Sequence, residues 1–209
     1  MNRQFQRLSL SLIVLAISGA PAFAHHMMGG RTPATFGEGI LSGLGHPIIG
    51  LDHLAAVVAV GCLAAAHRVA YALVIAFVLA MMAGVALHLH GATVPGAEIL
   101  VALSVIALGA LMLADRHMPV GAALLLFAVV GAVHGYALGE SIYGAEPTPL
   151  YAYLLGLALI QSAVAMISAA VARSLLQERG ANLSSLRLVG AGIAGIGLAV
   201  LMQQVIPAA

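Results

Sequence analysis

Six apolar runs constrain this chain more than any other feature, at about residues 39–66, 69–90, 96–114, 119–139, 149–172 and 186–206. Each is long enough for the roughly 20 residues a helix needs to cross the hydrocarbon core of a bilayer. Of the 209 residues, 62% are hydrophobic and 7% charged, whereas a soluble domain carries about 25% charged residues. The expected fold class is therefore an all-α membrane protein with six transmembrane helices and the lipid bilayer as its surroundings.

The first residues read as a processing signal. Met1 to Arg7 is basic, Leu8 to Ala20 is apolar, and Ala22-Phe23-Ala24 is a small-x-small cleavage site. This divides the chain into a signal peptide over 1–24, a periplasmic N-terminal segment over 25–38 and a six-helix transmembrane domain over 39–209. The alternative is an uncleaved anchor. Cleavage after Ala24 leaves His25, His26, Met27 and Met28 at the mature N-terminus, a capture site for a transition metal or a tail without a role. A net charge of +1 offers no footprint for nucleic acid, and one cysteine, Cys62, excludes an internal disulfide and any cysteine-cluster zinc site.

Polar residues collect in the connections. Gly91 to Gly96 contains Pro95, Asp115 to Pro119 is a tight turn, Ser141 to Pro149 is rich in Gly and Pro, and Arg173 to Arg187 is the longest loop. Arg68, Arg116, Arg173, Arg179 and Arg187 fall on one side and only Arg31 of the mature chain on the other. Arginine favours cytoplasmic loops, so both termini are expected in the periplasm and the protein in a bacterial inner membrane. Most of the acids (Glu38, Asp52, Glu98, Glu140, Glu146) and six of the nine histidines sort to the outer half or the midplane.

The residues that carry chemistry lie inside the apolar runs. Gly45-His46-Pro47-Ile48-Ile49-Gly50-Leu51-Asp52-His53 places two imidazoles and a carboxylate in the first span, where a charge costs about 2.5–3.5 kcal/mol on insertion scales. Pro47 lacks an N–H and disfavours helix at His46, so the span is expected to break there and let His46, Asp52 and His53 converge. Broken helices hold cations near the midplane of transporters. The structural alternative is a proline kink capped by His46, with His53 and Asp52 hydrogen-bonded.

The fourth span carries His134-Gly135-Tyr136-Ala137-Leu138-Gly139-Glu140, in which His-x5-acid repeats the spacing of His46 and Asp52. Because the two spans run in opposite directions, the match is what an inverted three-plus-three repeat leaves behind. His134 otherwise serves as an interhelical hydrogen-bonding residue. His88 and His90 end the second span, and residues two apart do not share a helical face, so one of them points inward; His88 is the better candidate, as a ligand or entry residue, and an interfacial position is the alternative. Glu98, early in the third span, is expected at the entrance or paired with one of these histidines. Met81-Met82 read as packing, His67 and His117 as loop or exit residues, and Gly190, Gly192, Gly195 and Gly197 as a small-residue packing face. The zincin, Walker A and nucleophile-elbow motifs are absent, so any transport is secondary, channel-like or driven by another protein.

His46-Pro47-x-x-Gly50-x-Asp52-His53 resembles the signature of the HupE/UreJ family of nickel permeases and is close to the His-x4-Asp-His element of nickel/cobalt permeases. The resemblance extends to the signal peptide, the mature N-terminal histidine, the six spans and His134-Gly135-Tyr136. Where common members read His-Gly-x-Ala-His-Gly-x-Glu, this chain has Leu138 in place of the second histidine, and Glu140 arrives one residue early. The resemblance implies a permease taking up Ni²⁺, and next Co²⁺, with no prosthetic group and no enzymatic activity. The metal ligands expected are His46, Asp52, His53 and His134, completed by His88 or Glu140, with His25 and His26 capturing the ion. Neutral imidazole is the ligand, so uptake is expected to fall at acid pH. A downstream metallochaperone is the protein partner this reading admits. The other classes are an intramembrane metal-dependent enzyme and a metal-binding sensor or assembly protein.

Overall fold

The computed structural model describes residues 31–114, 118–177 and 183–206. The proposed signal peptide, His25, His26, Met27, Met28 and the Asp115-Arg116-His117 turn lie outside the described residues. The helices are α1 (Phe36–Ile49), α2 (Leu51–Ala64), α3 (Ala70–Leu89), α4 (Ala97–Ala114), α5 (Val120–Gly139), a 3-10 turn (Glu140–Ile142), α6 (Pro147–Gln177) and α7 (Leu183–Val205). No strand occurs among the described residues.

The first helix begins at Phe36, inside the segment expected to precede the bundle. Thr35 and Glu38 form a capping box: Thr35 Oγ1 accepts from the Glu38 N–H at 3.2 Å, and Glu38 Oε2 accepts from the Thr35 and Ala34 N–H groups at 3.2 and 2.7 Å. The fifth apolar run also makes a longer helix than its hydropathy implies, from Pro147 to Gln177. Proline suits a first helical turn, where its missing N–H is an orphan in any case.

Five helices are each long and apolar enough to cross a membrane, and α1 with α2 passes the same test as a pair bent by 79°. Two arms of 14 residues at 1.5 Å per residue, bent by that angle, reach about 32 Å end to end, close to the roughly 30 Å of a hydrocarbon core. The pair runs beside α6 in parallel for its full length. A Cβ at Gly39 would meet Pro149, one at Gly43 would meet Tyr153 and Leu157, and one at Gly61 would meet Ala165 and Ser168. At the far end Arg173 Nη2 donates to the His67 carbonyl at 2.7 Å. The pair is therefore one broken span rather than a loop that turns back.

The remaining spans pair through glycine in the same way. Gly131 and Gly135 of α5 lie against the backbone at Phe77 and Met81 of α3, and Gly84 of α3 against Ala132 and Tyr136, which sets these two helices parallel. Gly109 of α4 meets Gly190 and Ala194 of α7, while Gly197 meets Ala102 and Ile106, which sets these two antiparallel. Small residues permit this approach, and dispersion between close backbones supplies the attraction that water supplies in soluble proteins. Of the four glycines expected to pack in the last span, Gly190 and Gly197 do so, while Gly192 and Gly195 face open space.

The three most extensive contacts thus join the first span to the fifth, the second to the fourth and the third to the sixth. Exchanging spans one to three with spans four to six leaves that pattern unchanged. It is the pairing an inverted three-plus-three arrangement produces.

Candidate metal site

The centre of the bundle is built on the break in the first span. The break falls at Gly50 rather than at the expected Pro47: proline removes only its own N–H, so α1 continues through His46 and Pro47 to Ile49, and Gly50 caps it with extended backbone (φ −72°, ψ 98°), its N–H donating to the His46 carbonyl at 3.0 Å. The chain then restarts as α2. In an unbroken helix the His53 N–H would bond the carbonyl four residues back; here it donates to Asp52 Oδ1 at 2.8 Å. The carboxylate thus caps the positive end of α2, although it is only 1% exposed. A Cβ at Gly50 would stand 3.0 Å from His53 Cδ2 and 3.2 Å from Asp52 Oδ1, so the side chains fold tightly over this glycine.

His46 and His53, seven residues apart across the break, have ring centroids 6.1 Å apart. His53 in turn meets His134 of the fourth span edge to face at 4.9 Å. The two Nδ1 atoms are 2.8 Å apart, and His134 Nε2 lies 2.8 Å from Ser104 Oγ on the third span. Ser104 has one hydroxyl proton, which it donates to the Val101 carbonyl at 2.7 Å. Its oxygen therefore accepts from His134 Nε2–H, leaving a lone pair on His134 Nδ1. His53 Nδ1–H donates to that lone pair, and His53 Nε2 carries the other. His46, Asp52, His53 and His134 are all buried.

Two imidazole nitrogens at right angles on an ion with metal–nitrogen bonds of about 2.0–2.1 Å stand about 2.8–3.0 Å apart. The Nδ1 separation of His53 and His134 already suits such a pair; an ion binding both would displace the proton they share. Among the described residues no group of three His, Cys, Asp or Glu side chains is close enough to hold an ion together. A third ligand from this cluster therefore requires His46 or Asp52 to close on the pair.

The other sequence candidates lie elsewhere. His88 is half-buried at the end of α3, its ring 4.7 Å from that of Tyr136 and 5.7 Å from that of Tyr143. His90 is exposed, and its Nδ1 bonds to the Ala86 carbonyl at 2.7 Å, closing the C-terminus of α3. Glu140 is exposed at the head of the 3-10 turn, and Glu98 is half-buried in the first turn of α4. The structure brings together His46, Asp52, His53 and His134, while His88 sits among tyrosines and Glu140 at the surface.

Two further residues act in ways the motifs do not reveal. Ser104 looks like an ordinary small residue of an apolar helix, yet it fixes the tautomer of His134. Tyr136 lies inside a motif, but its hydroxyl acts remotely, donating to the Ala92 carbonyl at 2.9 Å and accepting from the Val94 N–H at 3.0 Å. It thereby clamps the turn between α3 and α4, whose ends are set by Gly91 and Gly96 at φ 79° and 69°.

Fold and site together define a multi-pass helical membrane protein with a buried imidazole and carboxylate cluster at a broken span. The family model of the HupE / UreJ protein matches residues 12–200, and the chain belongs to that family, which in general comprises nickel and cobalt transporters. It is similar to Protein HupE of Rhizobium leguminosarum bv. viciae, 31% identical over 138 residues that cover 65% of this chain and 68% of the relative. No solved structure matches.

Proposed function

We propose that the protein is an uptake permease for Ni²⁺, and next for Co²⁺, in the inner membrane of a bacterium, with both termini periplasmic. The observation that carries this reading is the His53–His134 pair, which links the first and fourth spans at 2.8 Å in the buried centre of the bundle. Imidazole and carboxylate suit these borderline ions. Asp52 supplies a carboxylate for a divalent cation, and its Oδ1 accepts the His53 N–H in the first turn of α2 at 2.8 Å.

The orientation rests on the arginines: Arg68, Arg173 and Arg187 flank one end of the bundle, which is the cytoplasmic end by the positive-inside bias. On that side a cavity of about 90 Å³ is lined by Cys62, His67, Met112, Met118 and Arg187 among others. Transport then needs the first span to flex at Gly50 against α6 while the pairs of the second with the fourth span and the third with the sixth hold their glycine contacts.

The test is accumulation of radioactive nickel and cobalt in cells expressing the protein, with His53→Ala and His134→Ala present in the membrane at equal levels. Loss of uptake in both is expected. Unchanged accumulation in both overturns the assignment.

A further inference from the structure

Gln161 lies in the middle of α6, is 1% exposed, and neither atom of its side-chain amide has a hydrogen-bond partner among the described residues. An amide left so in the apolar interior is costly, because nothing replaces the hydrogen bonds it made to water. Its neighbours decide what it is for. Gln161 lines a crevice with Pro47 and Ile48 from the end of α1, Leu54 and Val57 from the start of α2, and Ile160 and Val164 from its own helix. It therefore faces both arms of the broken span at the break itself.

The register of the parallel pair requires this. Gly43 packs on Tyr153 and Leu157, and Gly61 on Ala165, so the residue of α6 midway between these contacts falls opposite the bend. The last carbonyls of a helix have no intrahelical donor. At Pro47 and Ile48 such carbonyls stand on residues that share the crevice with Gln161. An amide with spare donors and a helix end with spare acceptors are neighbours here, and a change in the angle between α1 and α2 alters their distance.

We propose that Gln161 is a positioning residue for the cargo site: in a second bend of the first span its Nε2–H donates to the α1 carbonyls at Pro47 or Ile48, holding the angle at which His46 and His53 are presented. The inference rests on the transport reading above. Gln161 touches the arms of the hinge, one residue from each of the two histidines, and acts through them. Replacing the amide by an apolar side chain of similar length removes the second bend's hydrogen bond while relieving the first bend of an unsatisfied group.

Gln161→Met and Gln161→Leu in the full-length chain test this, with uptake measured from nickel chloride in cells and nickel binding and thermal unfolding measured on the purified protein in detergent. The expected result is a fall of about tenfold in maximal uptake rate, nickel affinity weakened by no more than that factor but not lost, and a melting temperature equal to or above that of the wild type. Gln161→Asn, which keeps an amide, recovers part of the rate. Wild-type uptake by a folded Gln161→Met overturns the proposal, and so does loss of nickel binding, which would make Gln161 a ligand. If neither apolar variant accumulates while Gln161→Asn does, the amide is a folding requirement and the proposal is wrong. If the wild type itself moves neither nickel nor cobalt above cells lacking it, the transport reading fails and takes this inference with it. Wild-type transport with an indifferent Gln161→Met removes this inference alone.

Discussion

The first and fourth spans carry the same spacing, a histidine followed six residues later by an acid, and the structure gives the two acids opposite fates. Asp52 is buried beside the imidazoles, whereas Glu140 is exposed at the end of its helix. On a continuous helix six residues advance the chain about 9 Å and turn it through about 600°, so the acid leaves both the depth and the face of the histidine. The fourth span obeys that geometry, since α5 runs unbroken from Val120 to Gly139. The first span escapes it because one helix ends and another starts at Gly50, at 79° to the first. Equal spacing in sequence produces a site only where the backbone is broken.

The predictions sharpen that contrast, beginning with the residues that join the two spans. His53→Ala and His134→Ala are expected to reduce nickel and cobalt accumulation to the level of cells without the protein, because each removes half of the 2.8 Å pair. Next come the two acids. Asp52→Asn should lower uptake by about 100-fold, the upper end of what ligand-shell changes cost, while Glu140→Gln, at an exposed position, should stay within about twofold. Equal losses from the two acid variants in the same uptake assay would erase the comparison. That outcome would return Glu140 to the site.

The break itself is tested by Gly50→Ala. The added Cβ would stand 3.0 Å from His53 and 3.2 Å from Asp52, so one of them must give way. Overpacking of this kind costs about 1–3 kcal/mol, and uptake should fall further than the melting temperature suggests, because the displaced groups are the site. Alanine at Gly121, which has open space around it, is the matched control on the continuous span and should leave transport unchanged.

The smallest loss among the variants expected to impair the site belongs to Ser104→Ala. Removing the hydroxyl leaves His134 free to adopt either tautomer, and such outer-shell losses cost about tenfold at the low end in metal affinity or activity. Nickel titration of the purified variant checks this: weaker affinity is expected with the fold intact, and wild-type affinity would show that the tautomer is set by other means.

Much of this was legible in the residues. Six runs of sufficient length fix a six-span bundle because the bilayer sets a minimum helix length, and the structure moves their ends by only a few residues. The motif at His46 to His53 was legible for a similar reason: polar groups are too expensive in an apolar run to be accidental, and proline announces the break. His88 reads as a ligand from its residue type and depth, yet it stands among Tyr136 and Tyr143, since a helix's rotation about its axis is set by packing that no single run encodes. Gln161 carried a usable signal, an amide in the middle of an apolar run, but its significance depends on what lies opposite.

What the sequence determined by itself was the class of molecule, the number of crossings and that the first span is broken, all local consequences of hydropathy and of a run rich in proline and glycine; that the break falls at Gly50, three residues past Pro47, was decided by the folded chain. Which histidines meet was decided by the tertiary structure. His53 and His134 are 81 residues apart in the chain, and their contact depends on the glycine-packed spans that set the depth and rotation of each helix. Ser104 acquired its role in the same way. A glycine stripe can be read from the sequence, but its partner cannot, because close approach is a property of two surfaces at once.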